Sequence, residues 1–408
     1  MAGYLSNLMT KLLVVAAVAL FGLSVVACGD EEENGSPSGT PIASPAATLT
    51  ASLTATPTAT VSAQALTERG PFAVGVTTFT LVDESRPTDA NGSSSDADSR
   101  TLVTEVWYPA EGPAAAGEAR DAPLNKTSAP YPLIVYSHGF LGNRRYSATY
   151  TSHLASHGYV VASPDYPLTN LSAPGGPRVS DVLNQPGDVS FLIDNLLAFS
   201  HQAGHSLEGA IDEEAIGLTG HSLGGMTTVL ATFGSRRDPR VKAALPMAAP
   251  TCLVGAATYD TPAVPMLMMG GTADAVVSWP SVRAAYDSAP PPKYLLAFLG
   301  GNHLRFADLD VEDSFLPELG SMPGFAEENA RIVAGTGADL TSCTAAAPDD
   351  LPTEPLLTGK RQRELVNLFA TAFFDRYLKG DKAAASVLSP EFVAGVPEVR
   401  LEAESGED

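Results

Sequence analysis

Ser222 stands between two glycines in Gly220-His221-Ser222-Leu223-Gly224. The short apolar run Ile216 to Thr219 precedes it, and small and apolar residues at helical spacing, Gly225 to Ala231, follow it. That pattern reads as a strand, a tight turn and a helix, and a serine at such a turn is presented for nucleophilic attack. The flanking glycines answer a steric demand, because larger side chains would clash in the turn. A serine hydroxyl is a poor nucleophile at neutral pH. It needs a histidine to take its proton, and the histidine needs a carboxylate to fix its tautomer and stabilise the imidazolium.

The partners are expected in the chain order serine, acid, histidine that accompanies this kind of turn. His303 is the one histidine after Ser222, in Gly300-Gly301-Asn302-His303, just beyond the apolar run Tyr294 to Leu299. A surface-loop histidine is the alternative reading. Asp274 is the expected acid, because it follows the run Val264 to Met269 through Gly270-Gly271-Thr272-Ala273, again at a strand end. Its alternative role is to cap the following helix. Asp260 precedes the strand, Asp287 lies beyond the next helix, and Asp308 and Asp310 come after His303. Of the upstream histidines, His221 is expected to pack beside the site rather than act as a base, while His153, His157, His201 and His205 read as structural. Two backbone N–H groups must face the developing oxyanion. One is expected from Leu223; Ser137-His138-Gly139-Phe140, after the run Tyr131 to Tyr136, resembles the His-Gly motif that accompanies such turns, which implies Phe140 as the other. Trp279 and His221, with Phe140, Leu223 and residues 305–357, are the candidates for lining the substrate pocket.

These side chains need a sheet whose strand ends converge. Phe72 to Val82 and Arg100 to Tyr108 are β-branched and alternating, and predict an antiparallel pair. Tyr131 to Tyr136, Gly158 to Ala162, Val241 to Leu245, Val264 to Met269 and Tyr294 to Leu299 read as strands buried on both faces. Helical stretches separate them: Tyr146 to Ser156, Ser180 to Phe199 with an interruption at Pro186-Gly187, and Arg361 to Leu378 as the closing helix. The alternation predicts an α/β fold, a mostly parallel, doubly wound sheet flanked by helices. Residues 305–357 are too long for an ordinary connection and read as an insertion before the last helix.

The chain has 408 residues, 44% hydrophobic, with a net charge of −22, which excludes the basic footprint of a nucleic-acid binder. Residues 1–27 read as an export signal, with Lys11 before an apolar stretch, Leu12 to Val26, that is short for a membrane span. Val25-Val26-Ala27-Cys28 resembles the lipobox of bacterial lipoproteins, which implies lipidation of Cys28 and an extracytoplasmic, membrane-anchored protein. Residues 28–68, rich in Ser, Thr, Pro and Ala, predict a disordered linker. Residues 69–380 form the expected domain, and 381–408 an acidic, frayed tail. Cys252 and Cys343 are expected to pair, as even numbers of cysteines do in exported proteins. Neither has histidines at metal-ligand spacing, so no metal is expected, and the acidic loop Asp83 to Ser99 reads as a solvated hairpin loop rather than a calcium site.

The chain resembles the α/β-hydrolases, and within them the platelet-activating-factor acetylhydrolase and dienelactone-hydrolase-like group, from about Pro71 to Gly380. The likeness rests on Tyr136-Ser137-His138-Gly139-Phe140, on Leu154 to Ala162 (LASHGYVVA), on Gly220 to Gly225, and on Arg100 to Pro109 (RTLVTEVWYP). It implies a serine carboxylic-ester hydrolase that forms an acyl-enzyme on short- to medium-chain esters, lipid or polyester among them, as a monomer without cofactor. The alternatives are an amide or peptide hydrolase with the same residues, or a catalytically silent ligand-binding lipoprotein. Two departures narrow the likeness. Dienelactone hydrolases carry a cysteine where this chain has Ser222, which points to esters. The animal acetylhydrolases place their acid after the preceding strand, whereas Val241 to Pro250 holds no Asp and Asp274 matches the placement in dienelactone hydrolases and polyester-degrading cutinases.

Overall fold

The computed structural model describes residues 62–114, 117–311, 313, 324–340, 343 and 351–406. All fall in one unit, Thr60–Asp408. The export signal, Cys28 and residues 29–61 of the linker lie outside the described residues, as do 312, 314–323, 341–342 and 344–350 of the 305–357 insertion.

The first strands are the expected antiparallel pair, β1 (Ala73–Asp83) and β2 (Arg100–Ala110), in register from Ala73 opposite Ala110 to Asp83 opposite Arg100. A short strand β3 (Glu118–Arg120), without a sequence signal, lies parallel to β1. The parallel core follows: β4 (Tyr131–Ser137), β5 (Val160–Pro164), β6 (Ile211–His221), β7 (Val241–Met247), β8 (Met266–Gly271) and β9 (Lys293–Phe298). With the edge strand β10 (Val399–Glu404), the described strands make one sheet in the order β10-β9-β8-β7-β6-β4-β5-β2-β1-β3.

Side chains alternate across a strand, and here both faces are covered. Ile134, Tyr136, Val161, Leu267, Met269, Leu296 and Phe298 join one apolar cluster with helices α2 (Ala148–Ser156) and α7 (Gly359–Leu378). Leu133, Val135, Val160 and Ala162 face the other way, onto helix α3 (Gln185–His201). On that same side Met266, Met268, Leu295 and Ala297 pack on α4 (Leu223–Phe233) and α5 (Trp279–Ser288). Two-sided burial is why these strands read as continuous apolar runs.

Three expectations need correction. Ser180 to Phe199 is not one interrupted helix: a 3-10 turn, Val179–Leu183, precedes α3, and Pro186 sits in the first turn of α3. There its missing N–H has no helical partner to lose, so proline opens the helix rather than breaking it. The linker does not run to 68, because α1 (Ala63–Thr67) buries Leu66 in the core formed with α7. The tail beyond 380 is not frayed. It continues through a 3-10 turn, Lys382–Ser386, and α8 (Pro390–Val393) to β10, which pairs antiparallel with β9 from Val399 opposite Phe298 to Glu404 opposite Lys293. An uncovered β9 would leave a row of unpaired peptide groups. The acidic residues serve this edge, with Glu402 paired to Arg283 at 2.6 Å and Glu404 to Lys293 at 3.3 Å.

Within 305–357 the described part holds α6 (Phe325–Thr336). It is tied down by a disulfide between Cys252 and Cys343, Cα atoms 5.2 Å apart, which closes 91 residues of chain. A cross-link of this kind stabilises by about 2–4 kcal/mol. No helix among the described residues is long and apolar enough to cross a membrane.

Candidate active site

Strand β6 ends at His221 and α4 begins at Leu223, so Ser222 carries the whole reversal. It does so with φ 56° and ψ −121°, a conformation that side-chain-bearing residues rarely adopt. Two backbone bonds hold it: the Ser222 N–H donates to the Met247 carbonyl at 2.8 Å, and the Met226 N–H donates to the Ser222 carbonyl at 3.1 Å. The glycines are required by space. A Cβ at Gly220 would collide with the Gly224 carbonyl oxygen, and one at Gly224 with the Ser137 carbonyl.

The structure brings Ser222, His303 and Asp274 together at the carboxyl ends of β6, β9 and β8. His303 Nδ1 lies 2.7 Å from Asp274 Oδ2, and its Nε2 lies 3.0 Å from Ser222 Oγ. A carboxylate only accepts, so the proton sits on Nδ1 and the Nε2 lone pair faces the serine hydroxyl. The other Asp274 oxygen accepts the N–H groups of Val276 and Val277, each at 2.8 Å. Asp274 thus folds its own turn, while the N-cap position of α5 belongs to Ser278. The His303 and Asp274 side chains are 4% and 1% exposed. Burial by itself would lower the His303 pKa, but the adjacent Asp274 and, behind it, the charge of Asp313 hold it above its ordinary value.

His221 packs beside this group as expected. Its ring centroid is 4.6 Å from that of His303, and it stacks on Tyr146 and Phe306. Burial, reinforced by facing His303, pushes its pKa well down. It is a neutral packing residue. The other pocket candidate is also corrected: Trp279 is 5% exposed and sits in the core against Gly270 and Val282, because the first turn of α5 faces the sheet.

The loop after β4 approaches Ser222 closely. A Cβ placed on Gly139 would stand 3.3 Å from Ser222 Cβ. Its neighbour His138 is buried and kept neutral by that burial. His138 Nδ1 donates to the Gly139 carbonyl at 2.8 Å, and its Nε2 accepts the Tyr166 N–H at 3.2 Å. Gly142 N–H binds the same carbonyl at 2.9 Å. A trans peptide opposes its C=O and N–H, so fixing this carbonyl fixes the Phe140 N–H in the opposite direction. The Leu223 N–H, at the first position of α4, has no partner within its helix. His138 is a positioning role that the sequence did not disclose, although its place beside Gly139 and Phe140 was a usable signal.

A cavity of about 320 Å³ borders Phe140. Val179 and Phe325 supply apolar walls, and Arg178, Glu328 and Arg331 a charged one; His221, Leu223 and Trp279 do not line it. Residues of 305–357, through α6, therefore line this cavity, which meets the site at Phe140 and includes none of Ser222, Asp274 and His303. Asp313 was likewise not foreseen: its carboxylate accepts the backbone N–H groups of His303 at 2.7 Å and Leu304 at 3.1 Å. Among the described residues no three His, Cys, Asp or Glu side chains gather as a metal-holding group.

No curated protein matches the chain. The PET hydrolase-like family matches residues 119–308, a span that contains Phe140, Ser222, Asp274 and His303. A solved ferulic acid esterase from Streptomyces cinnamoneus is similar at 22% identity, covering 81% of this chain and 96% of that one with a TM-score of 0.53, a likeness that concerns the fold. Sheet topology and the strained turn at Ser222 give the chain the α/β-hydrolase fold, and the similarity of residues 119–308 to the PET hydrolase-like family is consistent with it.

Proposed function

We propose that the protein is a serine carboxylic-ester hydrolase working through an acyl-enzyme. The observation that carries this reading is the continuous hydrogen-bonded line from Asp274 through His303 to Ser222 Oγ. Ser222 Oγ attacks the ester carbonyl carbon while His303 Nε2 takes its proton. The tetrahedral oxyanion is held by the N–H groups of Phe140 and Leu223. Collapse breaks the bond to the alcohol, which leaves with the proton from Nε2, and the acyl group stays on Ser222. Water then attacks by the same route and regenerates the serine.

The reading extends to short- to medium-chain acyl esters, with the cavity of about 320 Å³ beside Phe140, at the small end of ligand pockets, as the space nearest the oxyanion donors. The match to the PET hydrolase-like family supports including aromatic polyesters among the substrates to be tested. The proposal extends to location: an exported protein anchored through lipidated Cys28, a reading that the Cys252–Cys343 disulfide supports, since such bonds persist in oxidising compartments.

Ser222→Ala is expected to lower kcat on p-nitrophenyl butyrate by on the order of 10⁶. Retention of wild-type turnover would overturn the assignment. A series of p-nitrophenyl esters from acetyl to palmitoyl, with a phospholipid and a soluble polyester, then ranks the acyl preference.

A further inference from the structure

After His303 the chain makes a 3-10 turn, Leu304–Phe306, and returns to the site at Asp313, which is 3% exposed. Asp313 Oδ2 accepts the His303 N–H at 2.7 Å and the Ala275 N–H at 3.4 Å, and Oδ1 accepts the Leu304 N–H at 3.1 Å. One carboxylate therefore joins the two segments whose spacing sets the site: the loop that carries the base and the turn that carries its acid. The Gly300 N–H to Thr272 Oγ1 at 2.8 Å and the Ala273 N–H to the Gly301 carbonyl at 3.0 Å join the same segments nearer the strand ends, while Asp313 joins them at His303 itself. Three backbone donors compensate the buried charge, which is why a carboxylate is tolerated here.

We propose that Asp313 is a positioning residue for the ester reaction, locking the His303 backbone to the Asp274 turn and setting a second negative charge behind the imidazole. This rests on the ester-hydrolase reading. The groups facing His303 are Asp274 at Nδ1, Ser222 at Nε2, His221 across the ring and Asp313 at its backbone N–H; Tyr146 stacks on His221 and feels the charges of Asp313 and Asp308. His221 and Tyr146 are neutral at the working pH, so the two carboxylates are the charges that the imidazolium feels. Removing one charge makes His303 easier to deprotonate. Loosening the lock makes its reach to Ser222 less exact.

The test is the pH profile of kcat/KM for full-length wild type and Asp313→Asn on p-nitrophenyl butyrate, with thermal unfolding as the check of folding. Asparagine keeps one acceptor oxygen and loses the charge. The acid limb, where His303 gains its proton, is expected to move to lower pH by on the order of half a unit. On the plateau kcat is expected to fall roughly tenfold or more, with KM little changed. A merely structural role would lower activity and leave the limb in place. A folded Asp313→Asn variant whose limb stays put, or moves to higher pH, overturns the proposal. If Asp313→Asn does not fold, Asp313→Glu decides: it keeps the charge on a longer arm, so kcat should fall while the limb stays. Full wild-type kcat in Asp313→Glu, or a limb displaced downward, overturns the proposal equally. An inactive Ser222→Ala beside an unmoved limb would sink this inference alone, whereas an active Ser222→Ala would sink the ester reading beneath it.

Discussion

At the scale of single residues, the site depends on which atom holds a proton. The Asp274 carboxylate cannot donate, so it requires the Nδ1–H form of His303 and frees Nε2 for Ser222. Asp274→Asn keeps the volume but offers an amide that can donate to Nδ1, favouring the wrong tautomer. We expect kcat to fall about 10⁴-fold with KM nearly unchanged, measured on p-nitrophenyl butyrate. An effect below tenfold would show that the acid lies elsewhere. Ser222, Asp274 and His303 were legible because each follows a glycine-marked strand end, so local sequence showed both the chemistry and its place. Asp313 was not legible. Its role depends on the chain returning to touch the backbone of His303, and a backbone N–H leaves no trace in the residue type it belongs to.

At the scale of elements, the turn between β6 and α4 is tolerated only because neighbouring backbone approaches where side chains would be. Gly224→Ala forces a methyl against the Ser137 carbonyl, the end of the strand that leads into the Phe140 loop. Backbone cannot yield as a side-chain tip does. We expect a loss of about 2 kcal/mol or more in urea unfolding, together with loss of esterase activity. Gly117→Ala, where nothing lies within 4 Å of the added Cβ, is the control and should match wild type in both. Equal behaviour of the two variants would refute the steric reading. The strands were legible for a related reason: burial on both faces wrote them as unbroken apolar runs. Strand β10 was missed because an edge strand with one solvated face, Val399 to Glu404, carries charges that read as a tail.

At the scale of the whole molecule, a chain with a net charge of −22 also carries histidines that the fold keeps neutral. His153, on α2, faces α7, with Nε2 on Thr371 Oγ1 at 3.1 Å. Burial, aided by the nearby His157 and Arg69, lowers its pKa to about 3. In the unfolded chain it titrates near its ordinary value of about 6.5. Between those values the unfolded state binds a proton that the native state refuses, so stability is fully present above about pH 6.5 and drains as pH falls toward 3. The slope is about 1.4 kcal/mol per pH unit for one such histidine. His153→Gln retains an amide that can reach Thr371 and removes the titration. Urea unfolding at pH 7 and pH 5 should therefore show a smaller acid loss in the variant than in wild type, by about 2 kcal/mol. Identical losses would show that His153 takes up its proton in the folded state.

The sequence by itself determined the candidates for nucleophile, base and acid, the two-sided parallel sheet and the pairing of Cys252 with Cys343. Each of those is written in residue types at short range or in a cysteine count. Only the tertiary structure decided which groups tune them. It turned His138 onto the Gly139 carbonyl, sent Trp279 into the core, opened the cavity between Phe140 and α6, and brought Asp313 behind His303. The physical reason is range. A strand end or a glycine turn is encoded by adjacent residues, whereas a contact between distant segments is fixed by how the whole chain packs.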